Sequence, residues 1–174
     1  MKIAHILSYK FPNYVRSDFI VQCLESVPEY TVYRAVNSKT GFLRYIQTIA
    51  KLVYLRTFKH PDVYILGFRG IEIFWIVRLI TLGKPLVYDE FINPYLWFVE
   101  EHKKFPPKSI RAKLLRLYAK GVLDRSDFIL SDTDRHLNYT SQEFNIKKEK
   151  MDTIYVGTNE QLYKRLDDKT DKSK

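Results

Sequence analysis

The sequence predicts an α/β fold, a Rossmann-like open and mostly parallel sheet of about six strands with helices on both faces. Three observations predict it. Short apolar runs rich in Val, Ile, Leu and Tyr alternate with longer stretches of helical period, the pattern of βαβ units. Most of those runs are continuous rather than alternating in polarity, as strands covered on both faces require. The 174 residues, 45% hydrophobic and 15% aromatic, suit one folded domain of about 100–200 residues and exclude a disordered chain.

The first strand is expected at Ile3–Ser8, an apolar run. The helix Ser17–Ser26 follows, with Ile20, Cys23, Leu24 and Val27 on one face. That makes Cys23, the only cysteine, a small core thiol and excludes an internal disulfide or a cysteine-cluster metal site. Thr31–Ala35 reads as a strand, Gly41–Lys59 as a helix ended before Pro61, and Val63–Gly67 as a buried strand. Gly70–Leu82 is helical up to the turn at Pro85, and Leu86–Tyr88 is the fourth strand. Pro106 and Pro107 precede the helix Ser109–Arg125. Strand Phe128–Ser131, helix Asp134–Phe144 and strand Thr153–Val156 complete the lobe, which spans residues 1–163. Residues 164–174 are charged and nearly free of apolar side chains, so they read as a tail or linker.

Ile3–Leu7 is shorter than a secretory signal core of about 7–15 residues, and Ile71–Leu82, interrupted by Glu72 and Arg78, falls short of the ~20 residues of a membrane span. The expected location is cytoplasmic and peripheral on the inner face of the plasma membrane, and the sequon Asn138-Tyr139-Thr140 then carries no glycan. The net charge is +9, which points to an anionic partner. The excess is local, with residues 102–125 carrying +7. In helix Ser109–Arg125, Lys113, Arg116 and Lys120 share one face, while Ile110, Leu114, Leu117 and Tyr118 share another, expected to dock on the sheet. With Lys103, Lys104, Lys108 and Arg111, and beside Trp97, Phe98 and Phe105, this cluster is a candidate contact for anionic headgroups.

In such a sheet, ligands lie outside the C-terminal strand ends. That geometry nominates the loop Ser8 to Arg16, Phe68-Arg69, Asp89-Glu90-Phe91, Asp132-Thr133 and Gly157-Thr158-Asn159. The first loop has neither a dinucleotide-binding nor a P-loop glycine pattern, so no bound NAD or P-loop ATP is expected. His5, His60, His102 and His136 lie without metal-ligand spacing, and no metal site is expected. His5 reads as a core residue. Asp132-Thr133-Asp134 imitates a metal-holding D-x-D and equally suits a helix cap. Asp89-Glu90 places two carboxylates at the ligand edge for proton transfer or hydroxyl binding, with an ion pair to Arg69 or Arg16 as the plainer alternative. Gly157-Thr158 offers backbone amides to an anion or simply turns the chain.

The opening Met1 to Leu7, the strand Lys84 to Asp89 with Glu90-Phe91-Ile92, and the block Ser126 to Tyr163 resemble the N-terminal half of a GT-B glycosyltransferase of family 4. In the last block, Glu149-Lys150, Thr153 to Val156, Gly157 and Asn159 to Tyr163 match the family's strand, glycine turn and start of the interdomain linker. The resemblance implies one lobe of a two-lobed enzyme that moves a sugar from a nucleotide-sugar donor to a glycan or lipid-linked acceptor, with retention, in bacterial surface polysaccharide or glycolipid assembly. This chain would be the acceptor lobe, negligibly active without a C-terminal donor lobe in cis or as a separate subunit, and would need no cofactor beyond the donor. The resemblance places Lys10 and Arg16 near the donor diphosphate. It places Asp89, the candidate catalytic residue, and Glu90 on acceptor hydroxyls, and Gly157 and Thr158 along the cleft. Two departures stand out: the first loop lacks the family's glycine pair, and Asp89-Glu90 stands where many relatives have histidine. Asp89→Asn is then expected to lower turnover far more than stability. The alternative is a stand-alone basic module for membrane or nucleic acid, without catalysis. Nucleic acid is the weaker partner, since the aromatics are mostly at core spacings.

Overall fold

The computed structural model describes residues 1–155. Val156 of the expected sixth strand, Gly157, Thr158 and the 164–174 tail lie outside the described residues. Six strands, β1 (Lys2–Leu7), β2 (Thr31–Val36), β3 (Val63–Leu66), β4 (Leu86–Glu90), β5 (Phe128–Ser131) and β6 (Met151–Thr153), form one parallel sheet in the order β2-β1-β3-β4-β5-β6. The helices are α1 (Val15–Glu25), α2 (Leu43–Tyr54), α3 (Phe74–Ile80), α4 (Ile110–Arg125) and α5 (Asp134–Phe144).

Alternation along the strands divides the core. Ala4, Ile6, Tyr64, Leu66, Leu86, Tyr88 and Ile129 face one side, where Leu52 of α2, Phe74 and Val77 of α3, and Ala119, Val122 and Leu123 of α4 complete a buried cluster. Ile3, Leu7 and Ile65 occupy the alternate positions, and Ile20 and Val21 of α1 are buried with that smaller face. His5 belongs to the same alternate set and is fully buried, as expected. Its packing is tight: a β-carbon on Gly67 would sit 3.0 Å from His5 Nε2, which is why glycine follows β3 there. Burial lowers the His5 pKa to about 4, with Arg34 adding to the effect, so the ring is neutral.

Four expectations need correction. Cys23 is exposed, because α1 buries Arg16, Ser17, Ile20 and Val21 instead. In α4 the large apolar stripe points outward, with Ile110, Leu114 and Leu117 exposed by 76%, 60% and 70%. The buried stripe is Ala112, Ala119, Val122 and Leu123, since alanines let the helix approach closely. Arg116 and Lys120, grouped above with the lipid-facing cluster, are held by protein carboxylates, Arg116 by Glu143 (2.7 Å) and Lys120 by Asp124 (2.8 Å). Finally, a helical segment absent from the expected elements lies between β4 and α4. The Asn93 side chain accepts from the Tyr95 backbone N–H (3.0 Å), Pro94 follows it, and a π-helical turn runs over Leu96–Glu101.

Candidate functional site

β4 runs to Glu90 rather than ending at Tyr88, pairing Asp89 with Leu130 and Glu90 with Ser131. The pleat therefore sends these neighbouring carboxylates to opposite faces of the sheet. Asp89 meets Arg16, whose Nε donates to Oδ1 at 2.8 Å, and both residues are only 1% exposed. The remaining guanidinium donors go to the backbone carbonyls of Ser131 and Ile154. Arg16 thus ties α1 to β4, β5 and the chain after β6, and of the two ion pairs considered for Asp89, the one to Arg16 is made. Burial pushes the Asp89 carboxyl above its usual range, with Arg16 opposing. Asp89 and Arg16, expected to face ligands, face each other.

Glu90 turns to the other face. Its Oε1 accepts from Asn93 Nδ2 at 2.7 Å, while Oε2 is buried without a hydrogen-bond partner among the described residues. Burial raises the Glu90 pKa, opposed by nearby His136 and the Asn93 hydrogen bond. His136 comes from the first turn of α5, where Thr133 Oγ1 caps the helix by accepting the His136 backbone N–H at 3.2 Å. The cap reading of this turn is correct, and Thr133 is the cap. Asp132 has a different partner, its Oδ1 lying 2.8 Å from His136 Nδ1. That pairing leaves Nε2 as the free ring nitrogen, buried and without a partner among the described residues.

Asp132, Thr133 and His136 border a cavity of about 510 Å³ whose other walls are Phe91, Leu96, Glu100, Glu101, Arg135 and Tyr139, while Glu90 is buried outside that lining. Burial and neighbouring Glu100 push the Tyr139 phenol up. Beside the cavity, an aromatic shelf covers the ends of β1, β3 and β4. Tyr14 stacks on Phe68 at 4.0 Å, Tyr9 meets Phe68 edge-on at 4.7 Å, and Phe91 closes the row at 5.3 Å from Phe68. The chain reverses its direction of strand addition between β1 and β3, the switch point where such sheets open a ligand crevice.

Lys10 is exposed at the shelf's margin with Nζ 4.7 Å from the Phe11 ring centroid. Arg69, in a left-handed backbone conformation with φ of 55°, turns to Glu72, away from Asp89. The structure brings Glu90, Asp132 and Thr133 together and leaves Arg69 apart. The nominated strand-end segments contain Tyr9, Tyr14, Phe68 and Phe91, but the sequence did not reveal that they stack into a shelf, nor that His136 and Tyr139 belong to the site. The Asp132–His136 spacing of four residues at a strand-to-helix junction was the available signal. Among the described residues, no group of three or more His, Cys, Asp or Glu is placed to hold a metal.

No protein-family model matches the chain, and no curated protein matches it. Among solved structures, the crystal structure of HepE from Anabaena, in complex with UDP and glucose, aligns with 94% of this chain at 18% identity, with a TM-score of 0.52. The shared fold is a GT-B-like, Rossmann-like lobe. The chain spans 46% of the length of that structure.

Proposed function

We propose that this lobe is the acceptor-binding half of a glycosyltransferase that moves a sugar from a nucleotide-sugar donor to a glycan or lipid-linked acceptor. The observation that carries the reading is the cavity at the C-terminal strand edge, lined by Asp132, His136, Tyr139, Glu100 and Glu101 beside an aromatic shelf, with the Asp132–His136 contact leaving Nε2 as the free ring nitrogen. Hydroxyl-rich ligands are bound by such mixtures: rings pack on sugar faces while carboxylate and imidazole take hydroxyl protons. The likeness to a UDP- and glucose-bound structure supports the donor class through shared fold.

In this reading His136 donates its Nδ1–H to Asp132 and presents Nε2 to the acceptor. Its Nε2 accepts the acceptor hydroxyl's proton as that oxygen bonds to the anomeric carbon on the same face from which the diphosphate departs, the front-face course that retention of configuration requires. The nucleoside diphosphate leaves with the bonding electron pair. Glu100 and Glu101 on the cavity wall accept further hydroxyl protons, and the Arg16–Asp89 strut holds the strand ends in register. The donor is held mainly by a second lobe, in cis or as a subunit, with Lys10 reaching the diphosphate. Retention of configuration and a role in bacterial surface polysaccharide or glycolipid assembly complete the proposal.

The test is transfer of labelled glucose from UDP-glucose in the assembled two-lobed enzyme. His136→Gln is expected to lower kcat by about 10²–10⁴, the usual contribution of a positioned acid–base group. Asp132→Asn should lower it less, with KM for the donor unchanged in both. Wild-type kcat in His136→Gln would overturn the assignment.

A further inference from the structure

Three stretches of the chain, residues 30–61, 73–88 and 102–123, contain no Asp or Glu at all. They include the whole of α2 and α3 and α4 up to Leu123. In the fold α2 packs beside α3 and α3 beside α4, so these stretches form one continuous helical layer. Its outer surface is apolar: Ile46, Ile76, Leu79, Ile110, Leu114 and Leu117 are all exposed. A groove of about 860 Å³ runs between α3, α4 and the Leu96–Glu101 turn, with Trp75, Phe98 and Phe105 among its walls. Cations lie over those rings, Lys104 Nζ 5.5 Å from Phe98, the Arg111 guanidinium 5.6 Å from Phe105 and that of Arg125 5.0 Å from Trp75.

A helical layer that simply faces water mixes both signs of charge and exposes large apolar residues singly. This one exposes them contiguously and rims them mainly with cations, the bordering carboxylates Glu72 and Asp124 being held by Arg44, Arg69 and Lys120. We propose that the α2–α3–α4 layer is a monotopic membrane face that seats on an anionic lipid bilayer, apolar side chains in the acyl boundary and the stems of Lys104 and Arg111 carrying their charges to the headgroups. Charge selects this occupant. A second copy would bring the same cationic rim against itself, whereas an anionic headgroup layer neutralises it. Among the described residues no helix is long and apolar enough to cross a membrane, so the contact lies in the interface plane. The contact set narrows accordingly to Lys103, Lys104, Lys108, Arg111 and Lys113 with the apolar face, since Arg116 and Lys120 are engaged by Glu143 and Asp124. Phe98 belongs to this groove while Glu100 and Glu101 of the same turn line the candidate acceptor cavity, so the two share a wall.

Sedimentation with large unilamellar vesicles tests the proposal. The chain is expected to bind phosphatidylcholine vesicles containing phosphatidylglycerol at least tenfold more tightly than phosphatidylcholine alone. Leu79→Glu with Leu117→Glu should weaken that binding at least tenfold. Lys104→Gln, Lys108→Gln and Arg111→Gln together should remove the preference for phosphatidylglycerol. Arg116→Gln with Lys120→Gln should leave binding unchanged. All substituted side chains are partly or largely solvent-exposed, and far-UV circular dichroism verifies that each variant folds. The proposal is overturned by failure of the wild type to bind anionic vesicles, by undiminished binding of the Leu79→Glu, Leu117→Glu variant, or by a self-associated form that this variant dissolves while vesicle binding is absent.

Discussion

Arg16 and Asp89 lie 73 residues apart in sequence, meet at 2.8 Å and carry opposite charges in a place water does not reach. Such a pair is weakly stabilising in itself, but removing one partner strands the other, at a cost of about 3–5 kcal/mol. Asp89→Asn is therefore expected to destabilise the fold by about 3 kcal/mol in urea unfolding, the reverse of the emphasis that the position of Asp89 at the ligand edge suggests. Arg16→Met with Asp89→Leu should cost less than either single change, because no charge is left stranded. His5 gives a second test with an opposite chemistry. Its folded pKa, about 4, lies below the value near 6.5 expected of the unfolded chain. The unfolded chain alone takes up a proton between these values, so the stabilisation is complete above pH 6.5 and lost as pH falls towards 4, about 3 kcal/mol in all. Urea unfolding of His5→Leu at pH 7 and pH 4.5 should show a smaller loss than wild type over that interval. Neither the buried pair nor the His136–Asp132 contact was fully legible in the sequence. The first depends on a tertiary approach of distant segments. The second stood in plain view at i and i+4, where a capping motif offered a sufficient explanation of the same residues.

At the scale of elements, the strands were the most legible part, because a run such as Val63–Leu66 is apolar on both faces and admits no other placement. Helix α4 was legible in extent and misleading in orientation. Its largest apolar residues mark a regular stripe, yet packing density favours the alanine face, where the helix axis comes close to the sheet and the buried cluster fills the remaining volume. Overpacking that face should be costly. Ala119→Leu is expected to destabilise the protein by about 1–3 kcal/mol, and Leu117→Ala by less than about 0.5 kcal/mol, as read from denaturant midpoints. The opposite ranking would restore the stripe of Ile110, Leu114 and Leu117 to the core. The Leu96–Glu101 turn escaped notice because its start at Asn93-Pro94 looks like a loop, and π-helical geometry has no sequence period of its own. It supplies Leu96, Glu100 and Glu101 to the candidate site.

The whole molecule has one sheet edge that gathers polar chemistry and one helical layer that gathers apolar surface and cations. That division gives the lobe an orientation, with the carboxylate cavity beside the face proposed to meet lipid. Fold class and strand succession were readable from patterning alone, and the structural likeness to HepE at 18% identity confirms the fold. The site was readable only as a set of strand ends, since which side chains converge there depends on pleat direction and on a turn the patterning did not reveal. The proposed function requires that the cavity lined by Asp132, His136 and Tyr139 take a saccharide acceptor. Histidine side-chain NMR of the nitrogen-15-labelled chain, titrated with glucose, galactose and N-acetylglucosamine disaccharides and separately with UDP, tests it most directly. Saturable displacement of the His136 ring resonances by at least one saccharide, no displacement of His5, and loss of the response in Asp132→Asn are expected. His136 resonances unmoved by every saccharide but saturated by UDP would contradict it and make the cavity a nucleotide site.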